Sequence, residues 1–109
     1  MVLKYDIYIS NEAISTNLTR LANQVYKLLP SREEGLDWTK PLSTIIEEFA
    51  GMDMLLLEYH SILFSLLCKL EGLYSLVNEN DFMFFRKTIF ECLNLIGELK
   101  KHVIKQFKN

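Results

Sequence analysis

A chain of 109 residues, half of them hydrophobic, has room for one core in one domain, residues 1–109, and is too apolar to remain disordered. Its net charge of −2 supplies no general attraction to nucleic acid or to an acidic membrane. The bias toward Leu, Ile, Lys, Asn and Phe over Gly, Pro and Ala is the kind met in bacterial and phage proteins.

Leu3, Tyr5, Ile7 and Ile9 alternate as in a strand, yet Leu3, Ile7, Ile14, Leu18, Leu21, Val25 and Leu28 continue a helical stripe. A lone strand would find no partner in this chain, so residues 1–10 are expected as an ordered arm, strand or helix, leading to a cap near Ser10. The amphipathic helix that follows, residues 11–29, carries Ser15, Thr16, Thr19, Arg20, Asn23 and Lys27 off its stripe. Pro30 is expected to stop it and residues 31–37 to form a loop.

The next helix should begin between Asp37 and Pro41, because proline is tolerated in a first turn whose amides have no helical partner. Leu42, Ile45, Ile46 and Phe49 form its apolar side, with Glu47 and Glu48 outside. Gly51 and Asp53 read as a stop followed by a new N-cap, a kinked continuation being the alternative. A third helix then spans residues 53–77, the turn 78–81 closes it, and a fourth spans 82–107. Phe85, Ile89, Cys92, Leu93, Ile96, Leu99, Val103 and Phe107 mark the fourth helix's stripe. Short connections make neighbours antiparallel. The expected fold is an all-α antiparallel bundle of three long helices and one short one, with the N-terminal arm.

Residues 54–77 contain fifteen apolar side chains and only Glu58, Lys69 and Glu71 as full charges, and the apolar positions cover most sides of a helix. Such a helix must be surrounded by protein or lipid. The longest run free of Asp, Glu, Lys and Arg is residues 59–68, far short of the ~20 apolar residues a membrane span needs. With no basic-then-apolar leader before the first helix, the expected location is the cytoplasm. At ~1.5 Å per residue the third helix would be about 37 Å long against about 15 Å for the second. Its neighbours would then leave part of it uncovered, around residues 70–77 and the adjoining Phe82–Phe85 segment, and exposed apolar surface of that kind marks association. Ser61, Ser65, Cys68 and Gly72 share one line of this helix and are expected to admit a close helix neighbour within the bundle, a second copy of the chain being the alternative.

The residues hold little chemistry. His60 is expected partly buried and hydrogen-bonded, and His102 to complement a helix C-terminus. No HExxH, paired ExxH or CxxC spacing occurs, so no metal or other cofactor is expected. Cys68 and Cys92 lie in apolar surroundings that suit inert, reduced, buried thiols. No catalytic residues are assigned, and the chain is not expected to be an enzyme.

What remains is binding. The loop from Arg32 to Pro41 holds the only tryptophan and both signs of charge. Arg32, Glu33, Glu34 and Trp38 are therefore candidate contacts with a partner protein, Trp38 alternatively pinning the loop to the bundle. Leu73, Tyr74, Phe82 and Phe84 join them from the uncovered end of the long helix. The reading is a non-catalytic interaction protein, an accessory or inhibitor protein, self-associating with a dimer favoured. The competing expectation is a nucleic-acid-associated subunit touching phosphates through Lys100, Lys101, Lys105 and Lys108.

Overall fold

The structure is a computed structural model describing residues 11–107. The expectations for residues 1–10 and for Lys108 lie outside the described residues, as does the side chain of Lys105. The elements are α1 (Asn11–Glu33), α2 (Thr39–Leu55), α3 (His60–Gly72) and α4 (Phe82–Phe107), linked by short 3₁₀ turns at Leu57–Tyr59, Leu73–Ser75 and Glu79–Asp81. Among the described residues there is no strand, and the fold is an all-α bundle.

The cross-links give the helix directions. Lys100 near the end of α4 donates to Thr19 near the start of α1 at 2.6 Å, while Arg32 at the end of α1 lies 4.5 Å from the Phe85 ring at the start of α4. These helices are antiparallel. Arg20 meets Glu48 at 2.7 Å between α1 and α2, and Lys69 meets Glu91 at 3.4 Å between α3 and α4, which makes those pairs antiparallel as well. The two ion pairs are each more than a third exposed, so they mark register more than they stabilise. Stability comes from the core. Ile14, Leu18, Leu21, Val25 and Leu28 of α1 meet Phe85, Ile89, Cys92, Ile96, Leu99 and Val103 of α4, while α2 adds Leu42, Ile45 and Phe49. These are the stripes expected from helical spacing.

Three boundaries differ from expectation. Pro30 does not stop α1, which continues to Glu33. The stop is Gly35, with φ of 73°. There Leu36 N donates to Ser31 O at 2.9 Å and Gly35 N donates to Arg32 O at 3.1 Å, the paired bonds of a Schellman cap. Proline costs one amide, but a left-handed glycine reverses the chain and satisfies the last carbonyls.

Gly51 and Asp53 do not stop α2 either. The helix passes through both to Leu55, so the kinked alternative is nearer the outcome, with the kink placed later. At the other end α2 starts at Thr39 with Pro41 still in the first turn, and Asp37 Oδ1, just ahead of the N-cap Trp38, accepts from the Thr39 amide at 3.0 Å and the Thr39 hydroxyl at 2.6 Å.

The third difference matters most. The expected 25-residue helix over 53–77 does not exist, because the chain breaks at Leu56 and turns by 113° between α2 and α3. These two helices are consequently closer to perpendicular than to antiparallel. From their residue counts, α2 is about 25 Å long and α3 about 20 Å, so α3 is the short member rather than the second helix. No glycine or proline lies at the break. Leu56 and Tyr59 are both buried there, and beyond the turn Leu63, Leu66, Leu70 and Leu73 reach the same core. At ~1.5 Å per residue a helix unbroken from Thr39 to Ser75 would be about 55 Å long and would overrun the ~39 Å α4; the turn brings both halves onto one core.

Candidate interaction surface

Arg32 organises the end of the bundle where α1 stops and α4 starts. Its guanidinium donates to the carbonyls of Leu76 at 2.5 Å and Asn78 at 2.7 Å, tying α1 to the segment between α3 and α4. Three rings surround it, with Phe85, Phe82 and Trp38 centroids at 4.5, 5.6 and 5.9 Å. Trp38 in turn meets Phe85 edge-on at 4.8 Å. A planar cation that donates to carbonyls in its plane leaves its faces free for aromatic rings, a combination lysine cannot reproduce. Arg32 and Trp38 thus hold the bundle end together, and Trp38 pins its loop.

Around this clamp the structure brings together two segments read separately in the sequence. Arg32, Glu33, Gly35, Leu36 and Trp38 from one, with Val77, Glu79 and Phe82 from the other, line an open groove of about 440 Å³. Leu36 and Val77 are 56% and 61% exposed on it. Glu33, Glu34 and Glu79 are also exposed, and none of the three has an ion pair among the described residues.

Immediately beyond Phe82, the outward face of α4 forms a second apolar surface. Met83, Phe84, Arg86, Lys87 and Phe90 line a shallow depression of about 450 Å³, with Met83 and Phe84 69% and 63% exposed. Arg86 lies over the Phe90 ring at 5.1 Å. Among the described residues neither Arg86 nor Lys87 has a carboxylate within ion-pairing distance. Of this face, the sequence pointed to Phe84 as a contact and to Met83 within the Phe82–Phe85 segment, but not to Arg86, Lys87 or Phe90. Met83, Lys87 and Phe90 recur at spacings of four and three on the side opposite the Phe85–Ile89–Cys92 stripe, and that second stripe was the available signal.

Other expected positions fall elsewhere. Leu73 is fully buried in the core and offers a partner no surface, whereas Tyr74 is exposed. The Ser61, Ser65, Cys68 and Gly72 line does not pack inside the bundle: all four are exposed, because α3 turns Leu63, Leu66 and Leu70 inward instead. Cys68 is accordingly an exposed thiol, and only Cys92 is buried, its ionisation pushed up to about 12 by that burial. His60 is exposed too, its Nδ1 2.7 Å from Asp53 Oδ1 across the α2–α3 turn. Lys100 is engaged with Thr19, and Lys101 is exposed. The Asp37 carboxyl lies below its ordinary range because the Thr39 hydroxyl and amide donate to it just ahead of α2. Among the described residues no group of three or more His, Cys, Asp or Glu side chains could hold a metal ion, and no single helix is long and apolar enough to cross a membrane.

No protein family, curated protein or solved structure matches this chain. The surface has to be read from its own chemistry.

Proposed function

We propose that this chain is a non-catalytic interaction protein that acts by binding a partner protein, through the groove around Arg32 and the adjoining outward face of α4. The observation that carries this reading is the clustering of exposed Leu36, Val77, Met83, Phe84 and Phe90 at one region of the bundle. Large apolar side chains scattered singly are ordinary on a surface, but contiguous ones rimmed by charge are the composition of a binding site. Arginine and aromatic residues supply much of the energy in such sites. The rigid Arg32 clamp beneath would present them without an ordering cost at binding.

An accessory or inhibitor protein of bacterial or phage type, working in the cytoplasm, fits this reading. Its test is capture from a host extract with the full chain as bait, beside the double variant Met83→Ser/Phe84→Ser. The variant should fold with unchanged helicity, since both side chains are exposed, and should lose the proteins retained by the unaltered chain. Equal retention by both chains would remove this surface from the account.

A further inference from the structure

The two parts of this surface have opposite net charge. The groove exposes Leu36 and Val77 beside Glu33 and Glu79, its one cation, Arg32, being engaged by the Leu76 and Asn78 carbonyls, while the α4 face exposes Met83 and Phe84 beside Arg86 and Lys87. None of Glu33, Glu79, Arg86 and Lys87 is ion-paired among the described residues. Each part therefore has an apolar centre and an unanswered charge that the other would complement.

Resting on the interaction-protein reading, we infer that the occupant of this surface is a second copy of the chain, with the α4 face of each copy seated on the groove of the other. Adjacency decides the symmetry. Phe82 lines the groove and Met83 the face, so the two parts border each other along α4. A two-fold axis passing between them brings groove to face twice in one contact, the self-complementary arrangement of an isologous dimer. A head-to-tail contact would use one groove and one face and leave the other pair exposed. Facing pairs are then Arg86 and Lys87 of one protomer with Glu33 and Glu79 of its partner. Leu36, Val77, Met83 and Phe84 are covered between them.

The full chain, sized by light scattering from about 1 µM to about 1 mM, should pass from monomer to dimer, a range that brackets ordinary self-association. Arg86→Glu/Lys87→Glu should raise the dissociation constant about ten-fold or more, because each reversal occurs twice in a two-fold interface. Glu33→Lys/Glu79→Lys should do the same. Circular dichroism checks that both variants remain folded, as exposed positions predict. An equimolar mixture of the two variants should recover the dimer, since every groove then meets a face of opposite sign. A dimer indifferent to both reversals, or a mixture that fails to recover it, would overturn the inference. So would a chain that stays monomeric throughout. If that monomer still captures host protein in a Phe84-dependent way, the interaction reading stands and another protein occupies the surface. If it captures none, both readings fall.

Discussion

Helices α1 and α4 each bury one apolar stripe and pack antiparallel, whereas α2 and α3 meet at 113° within an apolar run, residues 54–77, whose spacing covers most sides of a helix. The first pair buries its stripe and shows water a polar back along most of its length. The second pair buries Leu56, Tyr59, Leu63, Leu66 and Leu70 yet leaves Met54, Leu57 and Phe64 exposed around the turn. A stripe specifies one orientation of a helix. A run apolar on all sides specifies only that much of it must be covered, and the turn is how this bundle covers most of it.

The largest expected effects test whether the turn is held as firmly as the straight pair. Phe85→Ala should cost about 3–5 kcal/mol and Leu18→Ala about 2–5 kcal/mol, read by urea unfolding. If core burial holds the α2–α3 turn, Leu56→Ala should fall in the same range as Leu18→Ala. Leu57→Ala, one residue on but exposed, should cost no more than ~0.5 kcal/mol. Equal effects at Leu56 and Leu57 would show that the turn has some other cause.

Arg32→Ala probes the joint between the halves, and about 2–3 kcal/mol is expected for its two charged hydrogen bonds to carbonyls. Arg32→Lys should recover only part of this, because an ammonium does not stack among three rings as a guanidinium does.

The cysteines contrast the two regions by ionisation. Burial keeps the Cys92 thiol neutral up to about pH 12, while the unfolded thiol ionises near 9.0. The native state thus holds the extra proton within that window. Stability should fall as pH rises through it, by at most roughly 1.4 kcal/mol per pH unit from this group, and Cys92→Ser should flatten that slope. A thiol reagent at neutral pH should label exposed Cys68 promptly and Cys92 only on unfolding.

The smallest effects are glycine exchanges. Gly97→Ala in α4 meets nothing within 4 Å and should stabilise by about 0.5–1 kcal/mol in thermal unfolding. Gly35→Ala, at a left-handed backbone position, should destabilise by roughly 1 kcal/mol instead.

Much of the fold was legible from residue spacing. The described stripe from Ile14 to Leu28 and the stripe from Phe85 to Val103 both enter the core, because helical periodicity identifies a buried face without knowledge of the neighbours. The candidate site was legible only in part. Arg32, Glu33, Trp38 and Phe82 do converge on one groove, but Arg32 and Trp38 also hold the bundle end, and Leu73 is core. Exposed Val77, Met83 and Phe84 do fall in the segments expected to be uncovered, but Phe90 and the joining of these segments with the Arg32 loop needed the three-dimensional arrangement, since their neighbours across space are distant in sequence.

The amino-acid sequence by itself determined an all-α fold, the buried faces of the two long helices and a preponderance of apolar side chains between residues 54 and 77. It also held the Gly35 stop, which Pro30 obscured. Only the tertiary structure decided where that apolar run would turn, that α3 would be the short helix, and that Arg32 would join three rings and two carbonyls. Hydrophobic burial has no direction of its own. A segment apolar on every side therefore takes its path from the helices it packs against, not from its own pattern.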